Sequence, residues 1–111
     1  MNTRTIKIAT EFSDTPGGRY PEDGPANGQK FRDEFLVPAL KTFDKVIVDV
    51  SGVEGYGSSF LEEVFGGIVR LKLFDKNTLS KKLHWTASDP SQSCYLERIN
   101  TYITEAWEKL K

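Results

Sequence analysis

Val46-Ile47-Val48-Asp49-Val50-Ser51-Gly52-Val53-Glu54-Gly55-Tyr56-Gly57-Ser58-Ser59-Phe60-Leu61 is the stretch on which the reading of this chain turns. A β-branched run carrying one acid ends in a glycine-punctuated turn, and two serines then precede a segment whose apolar residues recur at helical spacing. The pattern predicts a strand that delivers a pair of hydroxyls to a helix N-terminus. Orphan backbone donors and the positive end of the helix dipole converge at such a point, so it suits a capping serine or a phosphate group.

Downstream, Leu61, Val64, Phe65, Ile68 and Leu71 recur at steps of three and four and predict a helix from about Phe60 to Lys72. Upstream, Lys45 to Val50 reads as a strand covered on both faces, since it is apolar almost throughout. Thr5 to Ala9 alternates Ile6 and Ile8 with polar neighbours and predicts a first, half-buried strand. Between Ser13 and Gly28, Gly17, Gly18, Gly24 and Gly28 are mixed with Pro16, Pro21 and Pro25, which predicts a long glycine-rich loop, with room for a short strand at Arg19 and Tyr20 hairpinned onto the first. A loop of that length in a small domain points to function or mobility.

Asn27 is placed to cap a helix whose apolar face is Phe31, Phe35, Leu36 and Leu40, and Pro38 is expected to kink or end it. Leu83 to Ser88 predicts a third strand with Leu83, Trp85 and Ala87 on one face. Asp89, Pro90 and Gln92 then supply a cap, a first-turn proline and a capping-box residue for a last helix with its stripe at Ile99, Tyr102, Ile103, Ala106 and Leu110. Strands alternating with helices predict an α/β fold: one domain over residues 1–111, a mostly parallel sheet, about three helices and the long loop after the first strand.

Composition narrows the function. The chain of 111 residues is 38% hydrophobic, enough for one core. Its 15 Lys plus Arg against 16 Asp plus Glu leave a net charge of −1, so neither a nucleic-acid backbone nor an anionic membrane is an expected partner. Cys94 is alone, no signal peptide is read at the polar N-terminus, and no apolar run approaches the ~20 residues of a spanning helix, so a cytoplasmic location is expected.

Enzyme chemistry finds little purchase. The single histidine, His84, sits mid-strand and reads as structural; with one thiol beside it a zinc site is not expected. Gly57-Ser58-Ser59-Phe60-Leu61 lacks the last glycine of a nucleophile elbow, and no Walker-type Gly-Lys-Ser occurs. No catalytic residue, metal or cofactor is assigned.

The serines carry two readings. Ser59 followed by Glu62 fits a capping box, which needs nothing further. At about 100° per residue, Ser59, Glu63, Gly66 and Arg70 also share one helix side, opposite Leu61, Val64, Phe65 and Ile68. Gly66 and Gly67 cost roughly 1 kcal/mol each relative to alanine in a helix interior, so close approach of a docking partner or of a packed neighbour is expected there. Asp49, near the carboxyl end of its strand, stands where open α/β sheets bind ligands, or else caps the turn by bonding amides near Gly52. Arg19 and Tyr20, with Glu22 and Asp23, offer an alternative function, a loop that closes over a nucleotide or phosphorylated metabolite, with Arg19 pairing the phosphate. An internal salt bridge is the plainer use of Arg19. Tyr102 and Trp107 serve the core or a dimer face.

Val48-Asp49-Val50-Ser51-Gly52-Val53-Glu54-Gly55-Tyr56-Gly57-Ser58-Ser59-Phe60-Leu61 resembles the signature of STAS domains, the sulfate-transporter and anti-sigma-factor-antagonist fold, in which an apolar strand ends in an Asp-Ser-Ser-Gly-Leu turn opening a helix. With Phe12-Ser13, Pro16-Gly17-Gly18-Arg19-Tyr20, Glu22-Asp23-Gly24-Pro25 and Gly66-Gly67, residues 5 to 90 resemble more closely the STAS-like bacterial family of unknown function. The resemblance implies a non-enzymatic regulatory switch. Its partner would be an anti-sigma factor or a histidine-kinase-like ATPase that phosphorylates a serine at the helix start. Ser59 matches the phosphoacceptor and Ser58 the serine before it, with Gly57, Phe60, Glu63, Gly66, Gly67 and Arg70 as the docking residues around them. Gly57 stands where the antagonists have aspartate and Phe60 where they have glycine.

Overall fold

The computed structural model describes residues 2–110. Among them three strands form one parallel sheet in the order β1-β2-β3, with β1 at Thr3–Lys7, β2 at Lys45–Asp49 and β3 at Leu83–Thr86. Val48 is the hinge of the register, opposite Ile6 on one side and Trp85 on the other. Ile6, Val46, Val48 and Leu83 point into the core. The opposite face is thinner than a strand covered on both sides requires: Ile47 and His84 are half-buried, Thr5 and Thr86 exposed.

The first strand ends two residues earlier than its alternation suggests. Ile8–Phe12 coils into a π-wound turn closed by the Ser13 amide on the Ile8 carbonyl at 2.8 Å, while the Glu11 carboxylate accepts the Lys7 amide at 2.9 Å. Ile8 still reaches the core. Residues 13–27 contain no strand at Arg19 and Tyr20, only a 3-10 turn, Pro21–Asp23. Asp23 explains why: its carboxylate accepts the amides of both Arg19 and Tyr20, at 3.1 and 3.0 Å, and so takes the donors that a hairpin would need.

Helix α1 covers residues 28–42 and is capped by Asn27, whose Oδ1 accepts the Lys30 amide at 2.9 Å. Pro38 does not end it. The preceding turn, Arg32–Leu36, is π-wound, with the Val37 amide on the Arg32 carbonyl, so the ladder has already widened where the proline withholds its donor. Helix α2 covers residues 58–70, two residues earlier at its start than the apolar stripe indicates, and Leu71, expected in that stripe, is exposed just beyond its end. Helix α3, Lys76–Lys82, and the turn at Ile8–Phe12 bring the helical segments longer than three residues to five among the described residues, against about three expected. α3 carries no apolar stripe, since only Leu79 in it is buried, and its cap is its one local signal, Asp75 accepting the Thr78 amide at 2.7 Å. Helix α4, Cys94–Lys109, buries Ile99 and Ala106, and Leu110 lies exposed past its end.

Phe31, Phe60 and Phe65 are fully buried, each worth about 1.5–3 kcal/mol in surface removed from water. Phe12 packs edge-on against Phe31 at 5.3 Å and Phe35 at 5.4 Å, which fastens the start of the long loop to α1.

Candidate functional site

The turn between β2 and α2 is held from several sides. Asp49 is buried, and its Oδ1 accepts the amides of Ser51 at 3.0 Å and Ser88 at 3.4 Å. Burial pushes that carboxyl up, the Ser51 and Ser88 bonds pull it down further, and the balance lies below the ordinary aspartate range. The strand order runs one way without reversal, so no switch-point crevice opens beside Asp49. The Ser51 and Ser88 amides engage it in the turn-capping way.

Ser51 Oγ accepts the Asp89 amide at 2.9 Å. Gln92 does not form a capping box; its Oε1 accepts the Gly52 amide at 2.8 Å and its Nε2 donates to the Val53 carbonyl at 3.0 Å. Tyr56 is buried and donates its hydroxyl to the Val50 carbonyl at 2.7 Å, and that burial, with Tyr95 and Asp49 nearby, pushes the phenol well up. A Tyr95 ring at 4.8 Å and the Phe60 ring at 5.7 Å fix its plane. These bonds set where α2 begins.

At that start Ser58 is exposed and Ser59 half-exposed. The cap position is Gly57, which has no side chain to bond the first-turn amides, and the expected Ser59–Glu62 capping box is absent. Glu62 is instead drawn sideways by arginines, to Arg19 Nη1 at 2.5 Å and to Arg70 Nη1 and Nη2 at 2.5 and 2.9 Å. Neither serine hydroxyl makes a hydrogen bond to the protein among the described residues. The site therefore offers two hydroxyls at a helix start that no side chain caps.

One turn further along, the helix face expected to be open is closed. Glu63 bonds Arg32 Nη1 through one oxygen and Arg19 Nη1, at 2.9 Å, through the other, and the Arg32 and Glu63 side chains are only 8% and 7% exposed. Arg70 reaches Glu63 at 3.4 Å, and Arg32 Nε holds Asp33 at 2.8 Å. Arg19, Arg32 and Arg70 thus face Asp33, Glu62 and Glu63, a balanced cluster that straps the long loop and α1 onto α2. Burial pushes the Glu62 carboxyl up, the Arg70 and Arg19 bonds pull it down by more, and it ends below its ordinary value.

The glycine pair belongs to this clasp. A Cβ on Gly66 would lie 2.2 Å from Glu62 Oε2, and one on Gly67 2.6 Å from Arg32 Nη1, so bare backbone there makes room for charged side chains of the protein itself. Gly28 serves the same closure, since a Cβ on it would come within 2.8 Å of the Phe60 carbonyl oxygen. Of the residues expected to dock a partner, Phe60, Glu63, Gly66 and Gly67 are buried, while Gly57 and Arg70 are exposed. The ligand-loop residues do not converge either. Arg19 is spent on Glu62 and Glu63, Asp49 on the turn, and Tyr20 stands exposed. His84 has its Nε2 3.0 Å from the Lys81 carbonyl, a structural use.

Arg32 and Asp33 were not singled out from the sequence, although a signal existed. Gly28, Arg32 and Leu36 repeat every four residues on the buried side of α1, so a charge at the middle position demanded a buried partner. Among the described residues no helix is long and apolar enough to cross a membrane. A family model described as a STAS-like domain of unknown function (DUF4325) matches residues 27–92, from the cap of α1 to the glutamine that bonds the turn before α2. No curated protein and no solved structure matches the chain.

Proposed function

The chain belongs to the STAS-like family of unknown function, and from that premise we propose that it is a non-enzymatic, cytoplasmic regulatory module read by a protein partner at the first turn of α2. The observation that carries this reading is the pair Ser58 and Ser59, with hydroxyls free of protein bonds, on a helix start fixed by Asp49, Gln92 and Tyr56. The partner is a histidine-kinase-like ATPase or an anti-sigma factor, and phosphorylation of Ser59, or of its neighbour Ser58, switches the contact. A phosphoserine adds about −1.5 to −2 charges where the helix dipole favours them, so the fold tolerates the change. Glu62 and Glu63 add no net repulsion, because arginines already balance them. Phosphate would therefore turn a neutral patch negative, and a partner would read the change of sign.

Two measurements test this. Intact-mass analysis of protein recovered from its native cells should find one added phosphate that maps to Ser58 or Ser59. Ser59→Asp should change affinity for the cognate partner at least about tenfold relative to Ser59→Ala, a difference of about 1.4 kcal/mol, with the melting temperature unchanged. Absence of phosphate under every growth condition, or equal affinity of the two variants, rejects the switch.

A further inference from the structure

A cavity of about 420 Å³ lies between α3, the outer edge of β3 and the second half of α4, and it shares no residue with the serine turn or the arginine clasp. The volume falls within the ~300–1,000 Å³ typical of small-molecule sites. Both tryptophans of the chain, Trp85 and Trp107, line it, together with Leu79, Leu83 and Ile103. Leu79 and Leu83 are buried and form the floor, while the two indoles are half-buried, with polarizable surface turned toward the space. Trp85 is braced from behind by an edge-on contact with Phe65, ring centres 6.0 Å apart.

The polar groups restrict what can enter. Lys76 and Glu108 stand at the rim with opposite charges, and no charged side chain of the lining is buried, so an ion entering the floor would be desolvated without a counter-charge. Asn100 and Thr104, one turn apart on α4, line the cavity on the same helix side as Ile103 and Trp107. Both are exposed, so their amide and hydroxyl stand at the mouth, open to a guest. We propose that this cavity binds a neutral, planar heteroaromatic molecule, its rings against Trp85 and Trp107 and its hydrogen-bonding edge at Asn100 and Thr104.

The probe is 2-quinolinone, a neutral bicycle whose lactam edge carries one donor and one acceptor. It is titrated into the full chain while the two indole N–H resonances are followed by NMR. Saturable one-to-one shifts of both resonances, with a Kd below about 1 mM, are expected. Trp107→Ala and the cavity-filling Thr104→Phe should each weaken binding at least tenfold without unfolding the chain, and quinoline-2-carboxylate should bind at least tenfold more weakly than the lactam. Because Thr104 is exposed, Thr104→Phe keeps the test decisive should Trp107→Ala unfold. Absence of saturable shifts, equal affinity for the carboxylate, or affinity unchanged in Thr104→Phe overturns the proposal. So does a concentration-dependent shift of the indoles without probe, which would show a second copy of the chain filling the cavity.

Discussion

At the first turn of α2, Ser58 and Ser59 hold hydroxyls with no protein partner among the described residues, whereas one turn later Glu62 and Glu63 are bonded to arginines from the long loop, from α1 and from α2 itself. Both regions are polar and both lie on one helix, yet only the second ties distant parts of the chain together through its side chains. Its six charges balance, three against three, and the side chains of Glu62 and Arg32 lie close over the bare backbone of Gly66 and Gly67. Polar groups committed to closure are unavailable to a ligand or partner, so the proposed switch rests on the two serines and not on the charged residues one turn later.

The comparison breaks most readily at Arg32. Arg32→Met keeps the length of the side chain but leaves Glu63 buried with Arg19 as its main remaining partner, so a loss of about 3 kcal/mol is expected in urea unfolding. A loss under about 1 kcal/mol would show that the clasp contributes packing rather than charge pairing.

Acid sharpens the contrast. Burial raises the Glu62 carboxyl and its arginine bonds lower it further, so its folded-state value lies below its ordinary one. The stability it contributes is therefore complete above about pH 4.3 and drains as pH falls through the folded-state value. Glu62→Gln should be less stable than the wild type at pH 7 and show a flatter stability curve between about pH 5 and 3. Parallel curves for the two proteins would remove Glu62 from the linkage.

The smallest effect belongs to the serines. Ser58→Ala and Ser59→Ala remove no bond of the fold, and each should change unfolding free energy by no more than about 0.5 kcal/mol. A larger loss from either would mean that its hydroxyl caps the helix in solution, and the first two turns of α2 would then differ less than the geometry indicates.

The order of elements was legible in the sequence because burial follows period. Ile6, Val64 and Phe65 keep their predicted inward positions, and Asn27 caps the helix it was placed to cap. α3 was not legible, since seven residues with one buried leucine carry no repeat. Ser58 is exposed and Ser59 half-exposed at the helix start, while Phe60, Glu63, Gly66 and Gly67 beside them are buried. Helical projection puts Ser59, Glu63, Gly66 and Arg70 on one side of α2, but it cannot say whether another part of the chain lies across that side. Arg19 and Arg32, forty-four and thirty-one residues from Glu63, do.

By itself the sequence determined a parallel α/β order, a tight turn after the second strand and a serine pair opening the helix that follows, because these depend on local period, glycine and proline. Tertiary structure alone decided which polar residues are free. Pairing of charges distant in the chain depends on which surfaces meet, and removing carboxylates from water is tolerable only where guanidinium groups arrive to meet them. The loop and α1 bring those groups to the middle of α2 and bring none to its first turn.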